Sequence, residues 1–136
     1  MKIVVDASVL FAVMIKAGFN EHLLFLNELE PFAPEQLFAE FRKHKKQVFE
    51  ETGRTPANFF QLTNILKKRI KVIPLAEFAQ CVKEAEALLT DKDDAAYLAA
   101  CLATNMPLWS NDKGFKRQRR VTVYTTQELA SCLGLE

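Results

Sequence analysis

Ile3, Val4 and Val5 are consecutive, apolar and β-branched. An apolar run without alternation fits a strand covered on both faces, as in a parallel sheet. The pattern predicts a strand over residues 2–6. Similar runs predict strands at Ile70 to Ile73, ended by Pro74, at Leu108-Trp109-Ser110, and at Val121 to Tyr124. Phe32 and Ala33, between Pro31 and Pro34, make a very short candidate strand. Between these runs the apolar spacing is helical. Residues 8–16 and 20–30 read as two early helices. From Pro34 to Glu51, Leu37, Phe38, Phe41, Val48 and Phe49 form one stripe, with Pro in the first turn and Gly53 as the stop. Thr55 and Pro56 supply a cap and a first helical residue for a helix running to about Lys68. Residues 76–89 and 92–104 give two more helices. Thr125 and Glu128 have the spacing of a capping box and open the last one.

Strands separated by helical crossovers imply a parallel sheet with helices on both faces. The expected fold class is α/β: a three-layer α/β/α sandwich with a central, mainly parallel β-sheet. The 136 residues suit one domain, 1–136. A chain of that length buries roughly two-thirds of its unfolded surface and folds without a disulfide. Cys81, Cys101 and Cys132 are widely spaced, form no CxxC and lie in apolar helical patterns, which reads as free thiols. No apolar run reaches the ~20 residues of a membrane helix. Asp6 interrupts the first apolar stretch, so no signal segment is expected there. The expectation is a cytoplasmic protein with no membrane partner.

In open α/β sheets, ligands bind beyond the carboxyl ends of the strands. Asp6 and Asp112 each follow an apolar strand and therefore fall at that edge. Each also has a structural reading: Asp6 as a helix N-cap, Asp112 as an Asx turn before Gly114. Glu40 borders the buried stripe of its helix, where an acid is costly to desolvate without a partner. Asp94 lies three residues before Tyr97 and four before Leu98, on the buried face of its helix. Asp91 and Asp93 are close by, and one of these acids, or Thr90, caps that helix. If Asp6, Glu40, Asp94 and Asp112 converge, like charges at ~4 Å repel by about 4 kcal/mol at an effective dielectric near 20. Such a cluster binds a cation or takes up protons. Oxygen ligands without Cys or His favour Mg²⁺ or Mn²⁺ over zinc. A hard cation held by carboxylates and phosphate oxygens describes a site that cleaves phosphodiesters. His22 and His44 are not expected to be catalytic.

The net charge of +1 conceals a patterned distribution. Most of the 18 basic residues fall in three clusters: Arg42, Lys43, Lys45 and Lys46; Lys67, Lys68, Arg69 and Lys71; and Lys113, Lys116, Arg117, Arg119 and Arg120. A near-neutral total can therefore conceal a basic surface beside an acidic pocket, though each cluster alone also reads as solvated charge on helix faces and loops.

Four segments carry these acids: Ile3-Val4-Val5-Asp6-Ala7-Ser8-Val9-Leu10, Phe38-Ala39-Glu40-Phe41, Asp91-Lys92-Asp93-Asp94-Ala95-Ala96-Tyr97-Leu98-Ala99-Ala100 and Leu108-Trp109-Ser110-Asn111-Asp112-Lys113-Gly114-Phe115. In order and spacing the chain resembles the PIN-domain nucleases, which include the VapC-type toxins of toxin–antitoxin pairs. The resemblance covers nearly the whole chain. It implies Asp6, Glu40, Asp94 and Asp112 as metal-binding and catalytic acids, with Asp93 and Asp91 as second choices for the third position. Ser8 and Ser110 would take the small-hydroxyl positions beside them. It also implies Mg²⁺- or Mn²⁺-dependent endoribonuclease activity leaving a 5′-phosphate and a 3′-hydroxyl, an RNA substrate tracked by the basic clusters, an antitoxin partner and a homodimer. The alternatives are an RNA-processing nuclease without an antitoxin and a non-catalytic RNA-binding module. A phosphoacceptor or aspartate-nucleophile phosphatase is disfavoured, because Ser8 stands where such a phosphatase wants a second Asp and no adjacent acid pair follows the first strand.

Overall fold

A computed structural model describes residues 1–16 and 18–135. The chain opens with β1 (Lys2–Val5), turns into α1 (Ala7–Ile15) and α2 (Phe19–Leu24), and returns as β2 (Glu30–Pro34). Helices α3 (Gln36–Lys43), α4 (Lys45–Thr52) and α5 (Pro56–Arg69) lead to β3 (Lys71–Ile73). Then come α6 (Leu75–Phe78), a 3₁₀ turn at Ala79–Cys81, α7 (Val82–Leu88), a second 3₁₀ turn at Lys92–Asp94 and α8 (Ala95–Thr104). The last part is β4 (Leu108–Trp109), a 3₁₀ turn at Lys113–Arg117, β5 (Val123–Tyr124) and α9 (Thr126–Cys132).

The strand order is β3-β2-β1-β4-β5 and each neighbouring pair is parallel. β1 is central, with Val4 level with Phe32 on one side and Leu108 on the other. Ile3, Val4 and Val5 are fully buried, as the unalternating run requires. Helix α8 packs on β1, β2 and β4, backed by α6 and α7, while α1 packs with α2, α3 and α4. The sheet is thus sandwiched between helical layers. No helix among the described residues is long and apolar enough to cross a membrane.

Three predicted helices differ from those observed. The stripe over 34–51 is two helices, broken at His44, whose N–H donates to the carbonyls of both Glu40 and Phe41. Val48 lies seven positions after Phe41, nearly two whole turns, so the stripe runs on through the bend. Both pieces pack on α1. Helix α2 ends at Leu24 rather than near 30, because Arg69 engages the carbonyls of Leu24, Leu26 and Leu29. The helix predicted over 76–89 is split by a 3₁₀ turn, with Phe78 fully buried at the junction. The short strand at Phe32 and Ala33 extends to both flanking prolines.

Candidate active site

β1 and β4 end side by side, with the N–H of Asp6 donating to the Trp109 carbonyl at 3.2 Å. The residues that follow, Asp6 and Ser110, are therefore neighbours at the carboxyl edge of the sheet. Asp6 is only 4% exposed. Its Oδ1 accepts the Ser8 hydroxyl at 2.7 Å and the Val9 N–H at 3.2 Å, and so caps α1. Its Oδ2 accepts the buried Ser110 hydroxyl at 2.6 Å. A carboxylate has about four acceptor positions, so one remains. The Ser110 oxygen in turn accepts the Asp112 N–H at 3.0 Å, so one hydroxyl ties together the acids that follow β1 and β4. Asp112 is exposed and makes the Asx turn, its Oδ1 accepting the Gly114 N–H at 2.9 Å. A Cβ at position 114 would approach that same oxygen to 3.3 Å, so glycine keeps the turn uncrowded.

The loop bearing Ser110 and Asp112 is also held from behind. The Thr126 hydroxyl accepts from the Trp109 indole at 3.2 Å and from the Asn111 amide at 2.9 Å, and donates to Asn20 at 2.7 Å. The Thr126 N–H returns to Asn111 Oδ1 at 2.9 Å.

The other acids come from helices. Glu40 on α3 is half-buried, and its Oε2 accepts the Tyr97 hydroxyl at 3.0 Å. Tyr97 stands one turn beyond Asp94 on α8 and is almost wholly buried. Asp94 is half-buried. Asp91 caps the preceding 3₁₀ turn by accepting the Asp93 N–H at 3.0 Å, and Asp93 is exposed.

Electrostatics link all these groups. Burial raises the Asp6 pKa; the bonds from Ser110, Ser8 and Val9 oppose that rise, and Asp112 adds to it. Burial also raises Glu40, against the Tyr97 bond and the charges of His44 and Lys43, with Asp93 pushing further up. Asp94 is pushed up to about 6, by burial first and then by Asp91, Asp112, Asp6 and Glu40. The structure thus places Asp94 in the fields of Asp91, Asp112, Asp6 and Glu40, Asp6 in that of Asp112, and Glu40 in that of Asp93. The Cys101 thiol, buried and near Asp6, is raised far from reactive ionisation. His44 faces the Phe11 ring and His22 lies beside Phe19.

A carboxylate set with raised proton affinity is chemically suited to a hard divalent cation. Among the described residues no three His, Cys, Asp or Glu side chains are close enough to share one ion. The donor chemistry fits Mg²⁺ or Mn²⁺ with water completing the shell, as these ions usually bind, rather than a closed cage of protein ligands.

Sequence reasoning gave Tyr97, Asn111 and Thr126 no role at the site. Tyr97 reads as core because its ring continues the apolar stripe of α8. The available signal was its hydroxyl, which needs a partner when buried.

A parallel α/β sheet with linked acids at its carboxyl edge defines a ligand-binding fold of the doubly-wound kind. The family model for the PIN domain matches residues 4–132, and the chain belongs to that family. No curated protein shows significant similarity to it. Among solved structures, VapBC2 from Rickettsia felis bound to a DNA fragment from its promoter is 15% identical, with a TM-score of 0.72 over 92% of this chain and 98% of that one. A toxin–antitoxin complex from Klebsiella pneumoniae is 14% identical, with a TM-score of 0.69 over 91% and 97%. FitAB bound to an IR36 DNA fragment is 18% identical, with a TM-score of 0.55 over 93% and 95%. At these identities the likeness is one of fold.

Proposed function

We propose that this PIN domain is a metal-dependent endoribonuclease and the toxin of a toxin–antitoxin pair. The observation that carries the reading is Asp6: a buried carboxylate at the carboxyl edge of the central strand, joined through Ser110 to the loop of Asp112. A carboxylate buried among other acids is a poor way to stabilise a fold. It makes sense as part of a binding site for a cation and a phosphate. Asp6, Glu40, Asp94 and Asp112, one or two directly and the others through bound water, would hold Mg²⁺ or Mn²⁺, which when bound lowers the pKa of water and polarises a phosphodiester. Ser8 and Ser110 orient Asp6, and Tyr97 orients Glu40. Lys43, near Glu40, attracts the substrate's phosphates. The toxin role, with an antitoxin as partner, draws on the toxin–antitoxin assemblies that share the fold; a second copy of the chain is the partner that the family resemblance alone implies.

The test is cleavage of a labelled RNA panel by wild type with Mg²⁺, with Mn²⁺ and in EDTA, beside Asp6→Asn. Cleavage in either metal, lost in EDTA and in the variant, is expected. Equal cleavage under all four conditions overturns the reading. Growth arrest on expression, relieved by a protein encoded next to this one, tests the toxin role separately.

A further inference from the structure

We infer that the cleft beside Asp94 and Asp112 is a subsite for one nucleotide of a single-stranded RNA, whose phosphate is held by Lys113 and Arg117. This rests on the nuclease reading above and adds where the strand lies. The cleft has a volume of about 290 Å³ and is lined by Leu89, Thr90, Asp91, Asp94, Asp112, Lys113, Gly114 and Arg117. It therefore opens directly from two of the four acids. That size admits a nucleotide and excludes a duplex.

The cations of this region are divided between two tasks. Lys116 is paired with Glu128 of α9, and Arg120 with Glu84 of α7. Lys113 and Arg117 have no acidic partner within ion-pair distance among the described residues, and both line the cleft. A polyanion approaching Asp91, Asp94 and Asp112 meets repulsion. A phosphate settles there only against a cationic wall, and these two side chains form it. Both come from the 3₁₀ turn that Asp112 caps, so the turn that places the acid also places the cations. Across the cleft, half-buried Leu89 offers an apolar face to a ribose or base. Lys43 acts electrostatically on Glu40 and adds a cation near the acidic centre outside the cleft. Lys68, Arg69 and Lys71, in contrast, lie where α5 runs into the amino end of β3, at the opposite edge of the sheet.

The experiment measures binding of a fluorescein-labelled oligouridylate in EDTA, by anisotropy over a range of salt concentrations. It uses the full chain as wild type, Lys113→Ala, Arg117→Ala, the double variant, Arg117→Lys and Lys68→Ala, with melting curves for each. Each cleft variant is expected to raise Kd about 3- to 10-fold at low salt, and the double variant to lower the salt slope by about 0.7, the value for one phosphate no longer neutralised on a single strand. Arg117→Lys restores most of the slope and Lys68→Ala leaves it intact. In Mn²⁺, KM for cleavage rises while kcat and Mn²⁺ affinity hold within about 2-fold. An unchanged slope in the double variant, an equal loss in Lys68→Ala, or no binding of the oligonucleotide by wild type overturns the subsite. The predicted slopes without cleavage in any metal support the subsite and remove the nuclease reading instead.

Discussion

At the amino edge of the sheet, the Arg69 guanidinium donates to the carbonyls of Leu24, Leu26 and Leu29, at 2.8, 2.5 and 2.7 Å. At the carboxyl edge, Asp6 accepts from Ser8, Val9 and Ser110, yet its burial and the Asp112 charge leave its proton affinity raised. Arg69 is a charge matched by the protein's own backbone, and the match closes a turn. Asp6 is a charge whose charged neighbours are other acids, and it is left wanting a cation. Cavity size does not separate the two edges. The amino edge has the larger hollow, about 490 Å³ between Cys101, Asn105, Met106, Pro107, Arg120 and Thr122. Its charged group, Arg120, is already paired with Glu84. The smaller cleft holds Asp94 and Asp112 beside unpaired cations. What distinguishes the carboxyl edge is a buried carboxylate and further acids gathered beside cations in one cleft.

The sharpest way to break this contrast is to neutralise one residue at each edge. Asp6→Asn should reduce RNA cleavage by at least ~1,000-fold, equivalent to about 4 kcal/mol in the transition state. The apo variant should melt no lower than wild type, because it sheds a desolvated charge while the amide oxygen can still cap α1. Loss of activity together with a collapse in Tm would make Asp6 a structural cap. Arg69→Met should do the reverse. Three carbonyls lose a charged donor, which costs roughly 2–4 kcal/mol in a denaturant titration. The fraction that remains folded should cleave at the wild-type kcat, and a specific loss of kcat would place Arg69 in the site's machinery.

Much of this was legible in the sequence because burial on both faces leaves a direct mark. Ile3-Val4-Val5 and the later apolar runs gave the strands, though β5 keeps only Val123 and Tyr124 of the run from Val121; the helices between them gave the parallel sheet, and the sheet gave the edge where Asp6 and Asp112 stand. Choosing Asp94 over Asp93 rested on the face shared with Leu98, and Asp94 is the half-buried member of the pair. The rest depended on contacts distant in sequence. The end of α2 is set by Arg69, some 40 residues on, and no local pattern encodes that. The break at His44 was invisible because the stripe continues through it. The basic clusters look alike as sequence; only contacts distant in sequence make Arg69 a backbone clamp and divide the 113–120 cluster into the ion-paired Lys116 and Arg120 and the cleft-lining Lys113 and Arg117.

A milder test probes Tyr97, the member of the site that sequence reasoning left in the core. Tyr97→Phe keeps the buried ring and removes the donor to Glu40. If the hydroxyl fixes the carboxylate's orientation, Mn²⁺ affinity by calorimetry and kcat should each fall about 10-fold, with KM for RNA nearly constant. If it merely satisfies a buried polar group, Tm falls and metal affinity does not.

The smallest effect follows from the raised proton affinity of Asp94. Its pKa rises from an ordinary 3.8 to about 6 on folding. An acid whose pKa is raised by folding stabilises the fold while it is protonated. That contribution is complete below the unfolded pKa and is lost as pH rises through the folded one. At about 1.4 kcal/mol per pH unit, the rise caps the effect at about 3 kcal/mol. Asp94 is only half-buried, so solvent screening reduces this to roughly 1 kcal/mol. In EDTA, Asp94→Asn should therefore be more stable than wild type at pH 7.5 by about that amount, and the advantage should shrink steadily towards pH 4.5. Added Mn²⁺ should close the gap at pH 7.5 from the other side, because the cation stabilises the ionised wild-type site and the variant has lost one of its ligands. A gap that ignores both pH and Mn²⁺ would mean that Asp94 does not share the field of Asp6, Glu40 and Asp112. The contrast between the two edges would then rest on Asp6 alone.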